Sequence, residues 1–197
     1  MAITNGYASL AEVKASLKIS DNIDDALIEL AVESASREID QACERIFYQA
    51  TGTRVFVPRD SYVVEIDDLR SLTTLKTSSG ADGLFDITWQ SDDYQLEPLN
   101  GIVGGIVSPT THIRAIDDYL FTIDGGEATV QVAGNWGWDT IPTAIKQATV
   151  ILASRIFRRN DSPLGVMGFG DMGVVRVSRI DPDIDSLISP YKKIRMA

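Results

Sequence analysis

Three stretches of this chain repeat apolar residues at helical spacing, and the region between the second and third changes to strand-like alternation. The first begins at Ser9-Leu10-Ala11-Glu12, a capping-box pattern that predicts a short helix to about Ile19. Ser20-Asp21-Asn22 interrupts it and supplies caps for a second helix. Ile28, Ala31, Val32, Ala35, Ile39, Ala42, Cys43 and Ile46 follow the i, i+3, i+4, i+7 rule and predict a long helix from about Ile23 to Phe47. Asp24, Asp25 and Glu29 load its N-terminal end with the charge a helix dipole favours. The third helix is predicted to start near Thr140 as N-cap, with Pro142 in the first turn, and to run to Arg159. Ile141, Ile145, Ala148, Leu152 and Ile156 form its stripe, and Val150, Ala153 and Phe157 widen it, as on a helix with neighbours on more than one side. Arg155, Arg158 and Arg159 crowd its last turns.

Between these helices, roughly Gly52 to Asn135, the pattern is that of antiparallel strands. Arg54–Val57 and Tyr62–Ile66 read as strands split by a turn at Pro58-Arg59-Asp60, and Leu72–Thr77 as a third. A loop at 78–83 follows. Ile87–Trp89 and Tyr94–Leu96 read as a hairpin across 90–93, and Leu120–Ile123 with Ala128–Val132 as another across Asp124-Gly125-Gly126. The glycine-rich stretch 100–105 carries no assignment. The predicted class is α+β: an α-helical core of one short and two long helices, an inserted antiparallel β-region, and an extended C-terminal tail. The predicted divisions are 1–51 for the N-terminal helices, 52–135 for the β-region, 136–160 for the long core helix and 161–197 for the tail.

That tail is stopped from continuing the helix by Asn160-Asp161-Ser162-Pro163. It is too apolar for a comfortably disordered segment and too rich in Gly and Pro to build a core of its own. It therefore lies on something, either its own body or another chain.

Charge adds one asymmetry. The chain carries 18 basic and 28 acidic residues, formally −10. Residues 155–197 hold 8 of the basic and 5 of the acidic groups, so the body is strongly acidic and the tail basic. An acidic body argues against tight duplex binding, which draws its strength from Lys and Arg on phosphates. The basic tail points weakly to an acidic partner surface. Cys43 is the single cysteine, which excludes a disulfide framework and a cysteine zinc site. No apolar run approaches a membrane span, and the N-terminus lacks the pattern of a signal peptide, so a cytoplasmic origin is expected.

The tempting chemistry does not hold together. Gly168-Phe169-Gly170-Asp171-Met172-Gly173 matches G-x-G-x-x-G, but a helix precedes it and a strand-like run follows, the reverse of a dinucleotide site. Asp181-x-Asp183-x-Asp185 resembles the start of a calcium loop, yet Ser186 and Lys192 stand where Gly and Glu are required. The aspartate pairs 67–68, 92–93 and 117–118 read as solvated turn residues rather than a hydrolase pair facing one cleft. His112 has no nucleophile-elbow pattern beside it and reads as a surface residue. Trp136 and Trp138, at a strand–helix junction, read as core anchors before they read as a stacking platform. No catalytic residue, metal or cofactor is assigned, and the expectation is of a protein that is not an enzyme.

Three pieces in order carry a family resemblance. They are the Leu10-x-x-Val13-x-x-x-Leu17 helix leading to the long helix that ends Cys43-Glu44-Arg45; the run Val132-Ala133-Gly134-Asn135-Trp136-Gly137-Trp138 followed by Ile141-Pro142-x-x-Ile145-x-x-Ala148 and the arginine-ended helix; and the terminal Asp181-Pro182-x-Ile184-x-x-Leu187-Ile188-x-Pro190-Tyr191-Lys192-Lys193. Together they cover about half of the chain. They resemble the head–tail connector, or adaptor, proteins of tailed bacteriophages, with relatives in prophages and gene transfer agents. The resemblance implies a structural virion protein of the neck, made in the host cytoplasm. It implies a homo-oligomeric ring of twelve copies beneath the portal, which extends the DNA channel and receives the next neck or tail component. Double-stranded DNA passes through such a ring without sequence-specific binding, and no membrane is involved.

The family's C-terminal segment reaches the portal. Mapped here, that assigns portal binding to the tail from about Gly165, with Val174, Val175, Arg176, Val177, Ile180, Leu187, Ile188, Pro190, Tyr191, Lys192, Lys193, Ile194 and Arg195 as the contact residues. It shifts the tail from folding back towards docking on a partner, where Val174–Val177 adds a strand to an exposed edge. Ile145, Ala148, Leu152, Arg155, Ile156, Arg158 and Arg159 are assigned to a subunit interface or the core helix. Small family members have a reduced β-segment, so the long 52–135 region departs from them. The competing reading is a monomeric β-rich module for a carbohydrate-type ligand, using Trp89, Trp136 or Trp138.

Overall fold

In a computed structural model, residues 2–80, 83–160 and 182–193 are described. The chain divides into two compact units, one of residues 1–44 with 141–197 and one of residues 45–140.

The first unit is helical. α1 (Leu10–Leu17) starts with the capping box read from the sequence: the Ser9 hydroxyl accepts from the Glu12 N–H, and the Glu12 carboxylate accepts from the Ser9 N–H at 2.8 Å. α2 (Asp25–Cys43) buries Ile28, Ala31, Val32, Ala35, Ile39 and Cys43 along one face. It ends at Glu44 in the left-handed region, whose N–H returns to the Asp40 carbonyl. α3 (Thr143–Asn160) begins later than the caps suggested. Pro142 stands just outside it, and its carbonyl accepts the first helical bond from Lys146 at 3.0 Å. Ala153 and Phe157 of α3 pack with Ile28, Val32 and Ala35 of α2, so the C-terminal half of α3 lies on the N-terminal half of α2. α4 (Pro182–Ile188) and a following 3-10 turn (Ser189–Tyr191) also belong to this unit. Ile184, Ile188 and Tyr191 are buried, and the Lys193 N–H donates to the Cys43 carbonyl at 3.0 Å.

The second unit is built on a six-stranded antiparallel sheet. Its strands are β1 (Ala50–Phe56), β2 (Val63–Thr77), β3 (Ile87–Trp89), β4 (Tyr94–Glu97), β7 (Thr110–Ala115) and β8 (Val130–Trp136). They lie in the order β1-β8-β2-β7-β4, with β3 on β2. A separate hairpin is formed by β5 (Ile102–Val103) and β6 (Ile106–Val107). β2 is the organising strand. Its first half pairs with β7, its second half with β8 and β3, and register shifts between Glu65 and Leu69 and between Leu69 and Thr74 let it turn from one set of partners to the next. β8 alternates strictly, with Val130, Val132, Gly134 and Trp136 inward. Gly134 is required there, because a Cβ would lie 2.4 Å from the Ser71 carbonyl oxygen. Val64, Ile66, Leu69, Leu75, Ile113, Phe121 and Trp89 complete a core within this unit.

These findings correct the predicted architecture. Four α-helices and a large six-stranded sheet are present, not an α-helical core with an inserted β-region. The sheet unit has its own hydrophobic core and its own 15-residue central strand. The described end of the chain is not extended either, since residues 182–191 are helical and bury Ile184, Ile188 and Tyr191. Two predicted hairpins are also replaced. β3 pairs with β2 and β4 with β7, not with each other. Residues 120–123 form no strand; Phe121 is nevertheless buried, its N–H donating to the Ser61 carbonyl at 2.8 Å.

Candidate interaction surfaces

The residues that suggested chemistry are dispersed or spent on structure. Trp89, Trp136 and Trp138 are all buried, so none offers a face for a base or sugar to stack on. Trp136 lies against Phe56 and beneath the Arg54 guanidinium, and its indole N–H donates to the Gly52 carbonyl at 2.9 Å. Trp89 stacks on Phe121 with ring centroids 4.8 Å apart and donates to the Thr77 hydroxyl. The carbohydrate-module reading thereby loses the three tryptophans it named.

Asp67 and Asp68 sit on opposite faces of β2 by strand alternation. Asp67 turns out to Arg54 at 2.7 Å, while Asp68 turns in to Trp138. Asp93 caps its own turn by accepting from the Gln90 N–H, and Asp117 and Asp118 are exposed in a turn. His112 lies half-buried on β7 beside the Thr111 hydroxyl. Asp183 and Asp185 ride on α4, a helix and not a calcium loop, and Asp185 pairs with Lys192 at 2.5 Å. The glycine motif 168–173 lies outside the described residues.

An open groove of about 430 Å³ in the sheet unit is lined by Arg70, Ser71, Val107, Ser108, Asn135 and Asp139. Arg70 and Asp139 neutralise each other across it at 2.6 Å, so it presents neither a free charge nor an activated nucleophile.

The assigned interface residues divide cleanly. Ile145 and Ala148 are fully buried in α3, and Leu152 and Ile156 are half-buried against the α1–α2–α3 cluster. Arg155 is half-buried, whereas Arg158 and Arg159 are exposed. In the tail, Ile188 and Tyr191 are buried; Leu187, Lys192 and Lys193 are half-buried; Pro190 is exposed. Val174, Val175, Arg176, Val177, Ile180, Ile194 and Arg195 lie outside the described residues.

One surface escaped the sequence reading. Ile23, in the turn before α2, and Ala26, Leu27 and Leu30 within it are exposed, Ile23 at 87%, Leu27 at 46% and Leu30 at 52%. They follow i, i+3, i+4, i+7 spacing of their own, on the side of α2 opposite its buried face. The signal was present, but the longer stripe through Ile28 and Ile39 overlapped it. Among the described residues no helix is long and apolar enough to cross a membrane.

Residues 7–69 match the profile of the phage gp6-like head-tail connector proteins. No curated protein matches the chain in sequence. Among solved structures, the chain is similar to one in the neck of an empty gene transfer agent particle computed with C6 symmetry. That match has a TM-score of 0.61 at 14% identity and covers 100% of this chain and 95% of that one. A chain in the neck of the native particle computed with C12 symmetry gives 0.59 at 16% identity, covering 100% and 94%. A chain of the native gene transfer agent virion gives 0.60 at 17%, covering 100% and 95%. At such identities the likeness establishes the fold. The resemblance to head–tail connectors read from the sequence is borne out by the profile match and by these neck structures.

Proposed function

We propose that this chain is a structural head–tail connector in the neck of a phage-like particle. Copies assemble as a ring at the DNA exit and join the capsid to the neck or tail. The observation that carries this reading is the pairing of a connector profile over residues 7–69 with a whole-chain likeness to a neck protein. The C12 symmetry of one such neck supports a ring of twelve. The role calls for no catalysis.

In this reading the ring adjoins the portal, and the C-terminal segment makes the contact. The accessible side of α4 and the 3-10 turn, with Leu187, Pro190, Lys192 and Lys193, contributes to it. The flanking stretches 174–180 and 194–195 supply the remainder. A formal charge of −10 per copy keeps the channel from gripping the phosphates of passing DNA.

Deleting the gene from a producing strain tests the assignment. Filled heads without tails are the expected product, and restoring the full chain restores joined particles. Normal tailed particles in the deletion strain would show that the chain has another role.

A further inference from the structure

The exposed stripe on α2 has the features of an interface with a specific counterpart. We infer that Ile23, Ala26, Leu27 and Leu30 of one copy dock on the arginine-rich end of α3, Arg158 and Arg159, of the next copy. This rests on the ring proposed above and names the surfaces that close it.

Three observations lead to the pairing. First, the N-terminal half of α2 is apolar on two opposite faces. One face packs on α3 through Ile28, Val32 and Ala35; the other carries the exposed stripe. A helix with two apolar faces is built for two neighbours. Among the described residues the second neighbour is missing.

Second, the charges complement each other. Residues 21–33 contain Asp21, Asp24, Asp25, Glu29 and Glu33 and no base; within the copy Asp25 is paired with Lys14 at 2.6 Å, and Glu33 accepts from the Thr4 and Asn5 N–H groups. α3 contains Lys146, Arg155, Arg158 and Arg159 and no acid. Lys146 is engaged by Glu12 at 2.9 Å within the copy. Arg158 and Arg159 are exposed and make no ion pair among the described residues. An apolar strip with an acidic rim fits a cationic end whose long side chains also carry apolar stems.

Third, a copy cannot make this contact with itself. α2 lies on α3 through its buried face, so the stripe points away from the α3 of its own copy. Only a second copy can bring the two patches together. A contact between two different patches is head-to-tail, which is the kind that repeats around a ring.

The test uses the full chain with portal rings, and counts bound copies by imaging and native mass measurement. The parent is expected to load cooperatively to a closed ring. Leu27→Asp/Leu30→Asp and Arg158→Glu/Arg159→Glu are each expected to weaken loading at least about tenfold, as central contacts of an interface do. Both should keep the parent's circular dichroism and melting as monomers. An equimolar mixture is expected to yield heterodimers and nothing larger, since each variant retains the half its partner lacks. Closed rings from either variant alone would overturn the interface and leave the connector role standing. So would a lowered melting point of monomeric Leu27→Asp/Leu30→Asp, which would mean that the chain's own residues cover the stripe. A cross-link from the stripe to the portal would overturn it as well. Failure of the parent to join portal rings would overturn the connector role and this interface together.

Discussion

The indole N–H of Trp138 donates to a carboxylate oxygen of Asp68 at 3.0 Å, and both side chains are sealed from solvent. Arg45 lies 3.6 Å from the same oxygen, with its guanidinium 5.7 Å from the Trp138 ring centre, and Phe47 packs on that ring. The cluster ties both ends of the sheet unit, residues 45–47 and 138, to the middle of β2. A buried carboxylate is tolerated only with such partners. Asp68→Ala is expected to cost about 3 kcal/mol, because it removes the carboxylate that faces the half-buried Arg45 cation and accepts from the buried indole N–H. Trp138→Phe keeps the ring and loses the hydrogen bond, for a cost of about 1–2 kcal/mol. Denaturant titration followed by circular dichroism measures both; equal costs for the two variants would mean that packing alone holds the corner.

Gly137, beside that cluster, has φ +93°, and a Cβ there would lie 2.1 Å from the Tyr48 carbonyl oxygen. Backbone blocks the space, so no side-chain rearrangement relieves the clash. Gly137→Ala is expected to destabilise by more than about 2 kcal/mol or to prevent folding. Gly52, on β1, has open space where its Cβ would be. Gly52→Ala is expected to be neutral or stabilising by up to about 1 kcal/mol, through lost freedom of the unfolded chain. Thermal melts of the two variants side by side check the contrast.

Local signals were the legible ones. The Ser9–Glu12 box, the buried stripe of α2 and the anchoring role of Trp136 and Trp138 are each written within a few residues, and each is present. What failed depends on partners distant in sequence. Asp67-Asp68 looks like a turn, yet it lies inside β2, where Arg54 pairs with Asp67 and where Trp138 and Arg45 both face one oxygen of Asp68. Strand β7 was missed because Thr110-Thr111-His112 is polar, and its place is fixed by pairing with β2 and β4. The second stripe of α2 was legible in spacing alone, but exposure, which gives it meaning, needed the folded neighbours. The residues from 174 to 180 that the resemblance assigns to portal binding lie outside the described part of the chain.

The capping box predicts how the first unit responds to acid. Glu12 is held down at about 2, first by the Ser9 N–H it accepts from, then by Lys146 and the Ser9 hydroxyl. A depressed carboxyl contributes stability that is fully present above its ordinary value of 4.5 and is lost as pH falls towards 2. Ser9→Ala removes the cap and is expected to cost about 1 kcal/mol at neutral pH. Glu12→Gln keeps an acceptor but gives up the exposed pair with Lys146, a loss of a few tenths to about 1 kcal/mol. The difference between parent and Glu12→Gln should shrink as pH falls from about 4.5 through 2 and be gone only below that. A difference independent of pH would assign the effect to shape and not charge.

Asp40 behaves in the opposite sense. Burial pushes its carboxyl up to about 6, against the Tyr7 hydroxyl that donates to it and Arg37 at 3.0 Å, both of which favour the charged form. With a folded value above the unfolded one of 3.8, the folded chain keeps the proton longer as pH rises. Stability from this group is therefore greatest below about pH 4 and declines as pH rises through 6. Asn at this position accepts the Tyr7 hydroxyl and carries no charge to desolvate, though it forfeits Arg37. Whatever the offset between parent and Asp40→Asn at pH 4, it should move in the variant's favour by on the order of 1 kcal/mol by pH 7, solvent screening included. Melting both proteins across that range measures the offset. A flat difference, or one that moves towards the parent, would mean that Arg37 and Tyr7 outweigh burial and that Asp40 is charged throughout.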